Sequence, residues 1–198
     1  MGQCTINNQR PPLQSNIQYS FEYVRFLGHK IPVPTAIGMA SLYANHKDGF
    51  LGKATSTGTT LKASSKVGAT QAFPLARLWG KNPLLLRVTR LDTSQSVKVA
   101  ADDRGPYEKR ENGNTCEFIA HRQRAIDLTF AAGRQIDFSD GALRVKIQPE
   151  LGTAWPPRNQ QELDGWIARF PAFQTAAGTK ALQALKELDK KRKDIRYL

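Results

Sequence analysis

The sequence is short of cysteine, histidine and long apolar runs, and each shortage removes a class of protein. Its 198 residues include two cysteines and three histidines. Cys4 and Cys116 are too few for a disulfide framework and lack the spacing of a zinc site, so we expect no metal, while their pairing with each other stays open. The most apolar segment, residues 83–88, has the length of a strand and falls far below the roughly 18 residues of a membrane-spanning helix. We therefore expect no membrane span.

Acidic residues are also scarce relative to basic ones. The chain has 29 Lys and Arg against 17 Asp and Glu, a formal net charge of +12. This charge predicts attraction to a polyanion, and nucleic acid, anionic lipid and an acidic cell-wall polymer all remain open. The basic run at residues 190–193 is typical of a solvated helix end, with a nucleic-acid patch as the alternative. Nucleic acid is the weaker partner because no aromatic residues are interleaved with that run.

The pattern of the chain divides it into three regions. Residues 1–36 are polar and interrupted by prolines, which predicts an irregular N-terminal arm. The apolar patch at residues 21–27 within this arm is either a strand or a docking segment. Residues 37–150 alternate short strand patterns with Gly-containing turns, which is typical of a small closed β-structure. Residues 151–198 have helical periodicity and form a basic C-terminal extension.

Individual elements can be assigned within the second and third regions. Predicted strands lie at residues 38–43, 84–91, 96–100 and 142–148. Thr129 is placed as the N-cap of a short helix, because small helix formers follow it. In the last region the apolar residues recur at three- and four-residue spacing, which predicts helices at residues 160–170 and 175–196 with Pro171 between them.

Two adjacent carboxylates end the third predicted strand, in the stretch ADDRGPYEKRENG at residues 101–113. Gly and Pro punctuate turns, and an Asp beside an Arg often forms a solvated ion pair. Taken alone, Asp102, Asp103 and Arg104 are therefore consistent with an ordinary surface turn. The surrounding motifs point to a different interpretation.

Five motifs occur in a fixed order: GMASLYA, GFLGKATSTGT, ATQAFPL, LLLRVTRLDTSQSVKVAADDRGPY and HRQRAIDLTFAAG. Over roughly residues 37–148 they resemble the double-psi β-barrel family of rare lipoprotein A and its expansin relatives. The resemblance implies a mainly β fold. We expect a six-stranded double-psi β-barrel with an irregular N-terminal arm and a helical C-terminal extension.

The resemblance also implies a function and a site. Members bind bacterial peptidoglycan in a groove, and several are lytic transglycosylases. It places Asp127 as the acid/base and Asp103 as its charge partner, and it makes Tyr43 a sugar-contacting aromatic. The further substrate-binding candidates are Arg104, Thr59 and Thr70. One carboxyl group suffices for this chemistry, without a metal or other cofactor, since it first donates and then accepts a proton. Anchoring of the helix after Thr129 is the alternative role for Asp127.

Two positions depart from the family pattern. Thr59 stands where lytic members have Glu after the Thr-x-x-Gly turn, and Thr70 stands where they have His. Of the three histidines, His121 is the one that precedes a predicted site residue closely, and a solvated loop residue is its alternative interpretation. Because two usual polar groups are missing, catalysis and binding without turnover both remain open.

Three functions are consistent with the sequence. The first is a peptidoglycan-active enzyme. The second is a catalytically inactive component of a phage virion, tail or injection device, which assembles through residues 1–35 and 155–198 or binds the cell wall. The third is a nucleic-acid-binding protein. The N-terminal sequence has no apolar stretch typical of a signal peptide. We therefore expect a virion-associated protein, or one made in the cytoplasm and delivered to the periplasm or cell wall.

Overall fold

The structure is a computed structural model that describes residues 4–6, 11, 15–44, 48–74, 84–112 and 115–195. The described strands are β1 (Thr5–Ile6), β2 (Gln18–Phe26), β3 (His29–Tyr43), β4 (Val67–Ala69), β5 (Leu85–Arg90), β6 (Ser96–Asp103), β7 (Tyr107–Asn112), β8 (Thr115–Ala120), β9 (Arg124–Thr129) and β10 (Leu143–Pro149). The described helices are α1 (Phe130–Arg134), α2 (Gln160–Arg169) and α3 (Ala176–Ile195), with a 3₁₀ turn at Pro171–Gln174 between the last two.

Six of the described strands close into a barrel. Their order is β10, β5, β6, β4, β9 and β3, and β10 pairs again with β3, so the sheet returns on itself. The 15 residues of β3 serve three neighbours in turn, namely β2, β10 and β9. The pairings of β3 with β9 and of β4 with β6 are parallel. This closed, mainly β architecture with a helical C-terminal region confirms the predicted fold class.

The N-terminal region is more regular than its prolines suggest. Strand β2 pairs with the first part of β3 in a hairpin whose turn residues, Leu27 and Gly28, have φ values of 48° and 80°. Two-residue hairpin turns need such positive φ values. Pro32 and Pro34 fit into β3 because this part of the strand has β2 on one side only, and proline is tolerated in such edge segments. The strand interpretation of the patch is therefore confirmed for residues 21–26, and Leu27 begins the turn.

A separate small sheet carries the two cysteines. Its strand order is β1, β8 and β7, with β1 parallel to β8 and a hairpin between β7 and β8. A disulfide joins Cys4, which immediately precedes β1, to Cys116 in β8. The pairing that the sequence left open is therefore present, and it attaches the N-terminal segment to the hairpin that follows Asp103.

The main apolar core fills the barrel and continues under the helical region. Val97, Val99 and Ala101 alternate inward along β6, as a strand with one buried face requires. Beyond the barrel, Trp166 of α2 packs against Trp155, with ring centroids 5.1 Å apart, and against Phe73, at 5.7 Å. The helical extension is thus part of the core.

Both predicted C-terminal helices and the short helix after Thr129 are present. Helix α2 begins with Asn159, whose side chain accepts a hydrogen bond from the Glu162 N–H, and it ends before Pro171. Thr129 is the N-cap of α1, but its hydroxyl donates to the Ser65 carbonyl at 2.6 Å and does not cap the helix. Within the described residues, none of the helices is both long and apolar enough to cross a membrane.

Candidate functional site

The sheet register brings Asp103 and Asp127 to the two sides of one residue. Ala69 in β4 pairs with Asp103 of β6 on one side and with Asp127 of β9 on the other. Paired residues on neighbouring strands lie on the same face of a sheet, so both carboxyl groups share the face of Ala69. Two interstrand spacings put their Cα atoms about 10 Å apart. The two predicted carboxylates are therefore neighbours separated by one strand.

A β-bulge adds Asp102 to this pair as a third carboxyl group. Gly68 pairs with Ala101 and the next residue, Ala69, pairs with Asp103, so Asp102 is the extra residue in β6. A bulge breaks the alternation of side chains along a strand and re-aims them. We call the three acidic residues, with the groups that contact them, the carboxylate site.

The loop between β3 and β4 holds the two adjacent acids. Ser56 donates to Asp103 Oδ1 from its backbone N–H at 3.0 Å and from its hydroxyl at 2.6 Å. Thr59 Oγ1 donates to Asp102 Oδ2 at 3.3 Å. Asp102 is only 8% exposed, and this burial raises the pKa of its carboxyl group, although the hydroxyls of Thr59 and Thr57 lower it. Hydroxyl groups of one loop thus contact both acids at the end of β6.

Asp127 has one oxygen held by neighbours and one beside Gly105. Its Oδ1 accepts a short hydrogen bond from the Ser41 hydroxyl and lies 3.5 Å from Arg124 Nη1, which also donates to Ser41 Oγ at 2.9 Å. Its Oδ2 lies 3.9 Å from the position that a Cβ atom would take at residue 105, which is a glycine. Position 105 is a glycine with φ at 144°, so no side chain from this residue packs against that oxygen.

Burial dominates the electrostatics of Asp127. Loss of solvent raises the pKa of its carboxyl group, and this effect exceeds the lowering by the Ser41 hydrogen bond and by the Arg124 charge. The charge of Asp103 raises the pKa further but contributes less than these. Asp103, the expected charge partner of Asp127, is therefore a minor cause of the raised pKa. The structure assigns the main cause to burial.

Tyr43 lies within the carboxylate site but beneath the surface. It is 9% exposed, and its hydroxyl has no hydrogen-bond partner among the described residues. Burial raises the pKa of this phenol, and the charges of Asp103, Asp127 and Asp102 raise it further, so the hydroxyl stays protonated at neutral pH. Its ring packs edge to face against Phe50, with centroids 6.1 Å apart. Tyr43 has little surface with which to contact a sugar directly.

Arg104 and Thr70 make contacts typical of structural residues. Arg104 Nη1 donates to the backbone carbonyls of Thr70 at 3.3 Å and Phe73 at 3.1 Å. Burial lowers the pKa of Arg104 to about 10, which leaves it cationic at neutral pH. Thr70 is fully buried, and its hydroxyl donates to the Ala125 carbonyl at 3.3 Å. In this arrangement the Thr70 side chain has no access to a bound ligand.

His121 supports a turn rather than the carboxylate site. Its Nδ1 accepts hydrogen bonds from the backbone N–H groups of Gln123 and Arg124, both at 3.1 Å. Burial and the nearby Arg124 charge lower the pKa of the imidazole. A neutral ring that accepts two backbone hydrogen bonds orders the segment leading into β9. The histidine therefore acts on Asp127 only through the backbone.

Sequence reasoning missed several members of the site, among them Ser41, Arg124, Asp102 and Ser56. Ser41 and Arg124 contact the predicted acid/base directly, and both stand inside the motifs quoted above, two residues before Tyr43 and three before Asp127. Their short distance in sequence from the predicted site residues was the signal that could have identified them. Asp102 was noted only as part of a surface turn, because strict alternation would turn it away from Asp103.

The site and the fold together define a class of protein: a small closed β-barrel with clustered carboxyl groups, one of them buried and kept close to a hydroxyl and a guanidinium. Such an arrangement suits acid/base chemistry. Among the described residues, no group of three His, Cys, Asp or Glu side chains is arranged to hold a metal ion.

Comparison with known proteins identifies the relatives of this barrel. The chain is 33% identical over 113 residues to the endolytic peptidoglycan transglycosylase RlpA of Pseudomonas aeruginosa, covering 57% of this chain and 26% of the relative. It is 29% identical over 131 residues to the protein of the same name from Rickettsia felis, covering 66% of this chain and 49% of the relative. No family model matches the chain. The resemblance to the rare lipoprotein A proteins is confirmed, and the chain spans between about a quarter and half of these relatives' length.

A cavity lies away from the carboxylate site. It has a volume of about 520 Å³ and lies between the start of α2 and the face of α3, with Leu163, Leu185, Leu188, Lys186 and Lys190 among its lining residues. None of the predicted site residues lines it. The two carboxyl groups with raised pKa, those of Asp102 and Asp127, lie in the carboxylate site and do not line this cavity, so the chemistry points to the carboxylate site.

Proposed function

We propose that this protein is directed to bacterial peptidoglycan and cleaves its glycan strands as a lytic transglycosylase, with Asp127 as the acid/base. The observation that carries the proposal is the state of Asp127: its carboxyl group has a raised pKa, one oxygen is bound by Ser41, and the other lies beside Gly105. The names of the relatives, which describe peptidoglycan transglycosylases, support the choice of substrate.

The proposed reaction uses Asp127 twice. As a carboxylic acid it gives its proton to the glycosidic oxygen while the bond from that oxygen to C1 of the muramic residue breaks. As a carboxylate it then takes the proton of the C6 hydroxyl of the same residue, whose oxygen forms the new bond to C1. The products are a shortened strand and an end with an internal 1,6-anhydro ring. No water is consumed, and Asp127 recovers its proton.

Ser41 and Arg124 fit the ionised half of this cycle. The raised pKa of Asp127 favours the acid before the first step, and the Ser41 hydroxyl and Arg124 guanidinium stabilise the carboxylate that this step creates. A carboxyl group with a raised pKa and such neighbours is suited to donate a proton and then to accept one. The two neighbours are therefore proposed as positioning residues for Asp127.

Asp103 is proposed as an electrostatic partner and not as a nucleophile. Its Oδ1 is occupied by two donors from Ser56 and by the Arg104 backbone N–H at 2.9 Å. The negative charge of Asp103, one strand away from Asp127, would stabilise positive charge that develops at the sugar C1.

The disulfide supports a location outside the cytoplasm. Bonds such as Cys4–Cys116 form and persist in the periplasm and other oxidising compartments, and they are rare in the reducing cytoplasm. This agrees with delivery to the periplasm or cell wall. Assembly into a virion stays a prediction, and no feature of the described residues bears on it.

A second candidate is a barrel that binds glycan without cleaving it. The observation that favours it is the identity of two positions: Thr59 replaces the Glu of lytic relatives, and Thr70, which replaces their His, is fully buried. If those two groups are indispensable for turnover, the site retains recognition and loses the chemistry.

Digestion of purified peptidoglycan sacculi separates the two candidates. The wild-type chain should release muropeptides with 1,6-anhydro ends, identified by mass spectrometry. Asp127→Asn should lose about 10² to 10⁴ of this rate, the usual contribution of a general acid/base. Asp164→Asn, an exposed acid on α2, is the matched control and should cleave normally.

The opposite outcomes are equally clear. Absence of products from the wild type, with the protein still sedimenting with sacculi, would overturn catalysis and favour the glycan-binding candidate. Equal product from wild type and Asp127→Asn would remove Asp127 from the acid/base role.

A further inference from the structure

Phe50 is an exposed aromatic residue next to the carboxylate site. It is 47% exposed, whereas Tyr43, against which its ring packs, is 9% exposed. The aromatic surface at this place therefore belongs to Phe50. Tyr43 supplies the support beneath it.

The loop that carries Phe50 also explains why the ring stays outside. The Phe50 N–H is bonded to Asp48 Oδ1 at 3.1 Å, and its carbonyl accepts the Lys53 N–H at 3.1 Å, which closes a turn. Gly52 sits at the third position of that turn with φ at 83°, a value glycine adopts without strain. Leu51 packs on the small apolar cluster that includes Tyr43. One side chain of the turn is thus directed inward and its neighbour outward.

The same loop connects this ring to the acids. Further along it, the Ala54 and Thr60 backbones form a bridge, and the tip between them binds Asp102 and Asp103 through Thr59 and Ser56. Ser56 and Thr59 are both exposed. The loop therefore presents one apolar ring and two hydroxyl groups beside the carboxylates.

Exposed phenyl rings and hydroxyls together match the two kinds of surface of a pyranose. The axial hydrogens make one face of the sugar ring apolar, and its hydroxyls and acetamido group lie around the edge. A flat ring held by an edge-to-face contact can stack on that apolar face without losing much side-chain freedom.

We propose that Phe50, and not Tyr43, is the stacking residue of a subsite for an N-acetylated pyranose of the glycan strand. The inference rests on the proposed glycan-directed function and adds the residue that recognises the sugar. Tyr43 acts through Phe50 by fixing its ring.

The test measures binding, so that it does not depend on turnover. Sedimentation with purified sacculi is measured at high salt, because salt screens the attraction due to the +12 charge and leaves stacking on an uncharged ring. Soluble tetra-N-acetylchitotetraose serves as the competitor. Using the Asp127→Asn chain in parallel prevents loss of substrate by cleavage.

Four variants define the expected result. Phe50→Ala and Phe50→Leu should bind roughly tenfold more weakly, because both lack a ring face, while Phe50→Trp should retain binding. Tyr23→Ala is the matched control: Tyr23 is 44% exposed on β2, so its removal should change nothing. Phe50→Leu keeps an apolar contact with Tyr43, which separates stacking from loop support.

The failures are distinguishable. Wild-type binding that the tetrasaccharide cannot displace would overturn the glycan-directed function and this inference with it. Normal displacement together with unchanged binding by Phe50→Ala would overturn the inference alone. Equal loss of binding in Phe50→Ala and Tyr23→Ala would also overturn the inference. Loss of binding in Phe50→Trp as large as that in Phe50→Ala would overturn it as well.

Discussion

The helical layer and the carboxylate site bury opposite kinds of side chain. The helical layer, formed by α2, the 3₁₀ turn and α3, buries aromatic rings: Trp155, Trp166 and Phe170 are all fully buried. The carboxylate site instead buries Asp102 and most of Asp127, whose pKa values rise because burial disfavours their charge. Packing in one part stabilises the fold, and the other part retains groups that destabilise it at neutral pH. This is the usual relation between a scaffold and a functional site.

The largest expected effect is on the helical layer. Trp166→Ala removes a fully buried ring that contacts Trp155 and Phe73, and such truncations lower the free energy of unfolding by about 3–5 kcal/mol. Phe50→Ala removes a half-exposed ring from the loop beside the site and should cost less than about 1 kcal/mol. Urea denaturation monitored by circular dichroism measures the free energy of unfolding of both variants. Equal losses would abolish the contrast between the two regions.

The second prediction is that a substitution in the carboxylate site raises stability at neutral pH instead of lowering it. Asp127 has a raised pKa in the folded protein, so its contribution to stability is fully present below the unfolded pKa of about 3.9 and is lost as pH rises through the folded pKa. An asparagine side chain does not ionise, so the Asp127→Asn variant does not lose this stability as pH rises. Asp127→Asn should therefore unfold at a higher temperature than wild type at pH 7, and the difference should vanish near pH 3.

A matched aspartate gives the opposite sign. Asp92 has a lowered pKa because Arg90 donates hydrogen bonds to both of its oxygens. Its ionised form therefore stabilises the fold above the unfolded pKa, and this contribution is lost as pH falls through the folded pKa. Asp92→Asn should lower the unfolding temperature at pH 7. If both variants shift in the same direction, burial is not the dominant effect at Asp127.

Elements with strong periodicity were predictable from the sequence. The alternation in residues 142–148 and the leucine spacing in residues 175–196 correspond to β10 and α3. These two elements depend on local pattern, which a single sequence displays directly. The barrel and the candidates Asp103 and Asp127 came instead from the resemblance to the rare lipoprotein A family, and the sheet register places the two aspartates one strand apart.

The features that were missed depend on tertiary structure. Pro32 and Pro34 suggested an irregular arm, because a sequence does not show that one side of β3 lacks a neighbour there. The bulge that joins Asp102 to the site is a shift in register between two strands, and the sequence of neither strand indicates it. The burial of Tyr43, which the resemblance made a sugar-contacting aromatic, depends on Phe50 and Leu51 in a loop that comes later in the chain. Each miss concerns what packs against a residue, not what the residue is.

The smallest expected effect is on the pKa of the Asp127 carboxyl group. The Ser41 hydroxyl donates to Asp127 Oδ1 and lowers the pKa of that carboxyl group, in opposition to burial. Ser41→Ala removes this stabilisation of the carboxylate, so the pKa of Asp127 should rise further. Carbon-13 NMR titration of the Asp127 carboxyl measures it, whether or not the protein turns over substrate. If the protein is an enzyme, the alkaline limb of kcat/KM should move to higher pH, because the protonated acid persists longer.

Ser56→Ala is the matched control for this shift. Ser56 donates to Asp103 in the same way that Ser41 donates to Asp127, so its removal tests whether any serine near the site has the same influence. We expect the pKa of Asp127 to change less in Ser56→Ala than in Ser41→Ala, since Asp103 contributes less to that pKa than burial, Ser41 or Arg124 do. A lower pKa in Ser41→Ala, or equal shifts in the two variants, would mean that the hydroxyl does not act on Asp127 through the hydrogen bond. The pKa of Asp127 would then depend on burial and on the charges of Arg124 and Asp103, and Ser41 would belong with the residues that only shape the barrel.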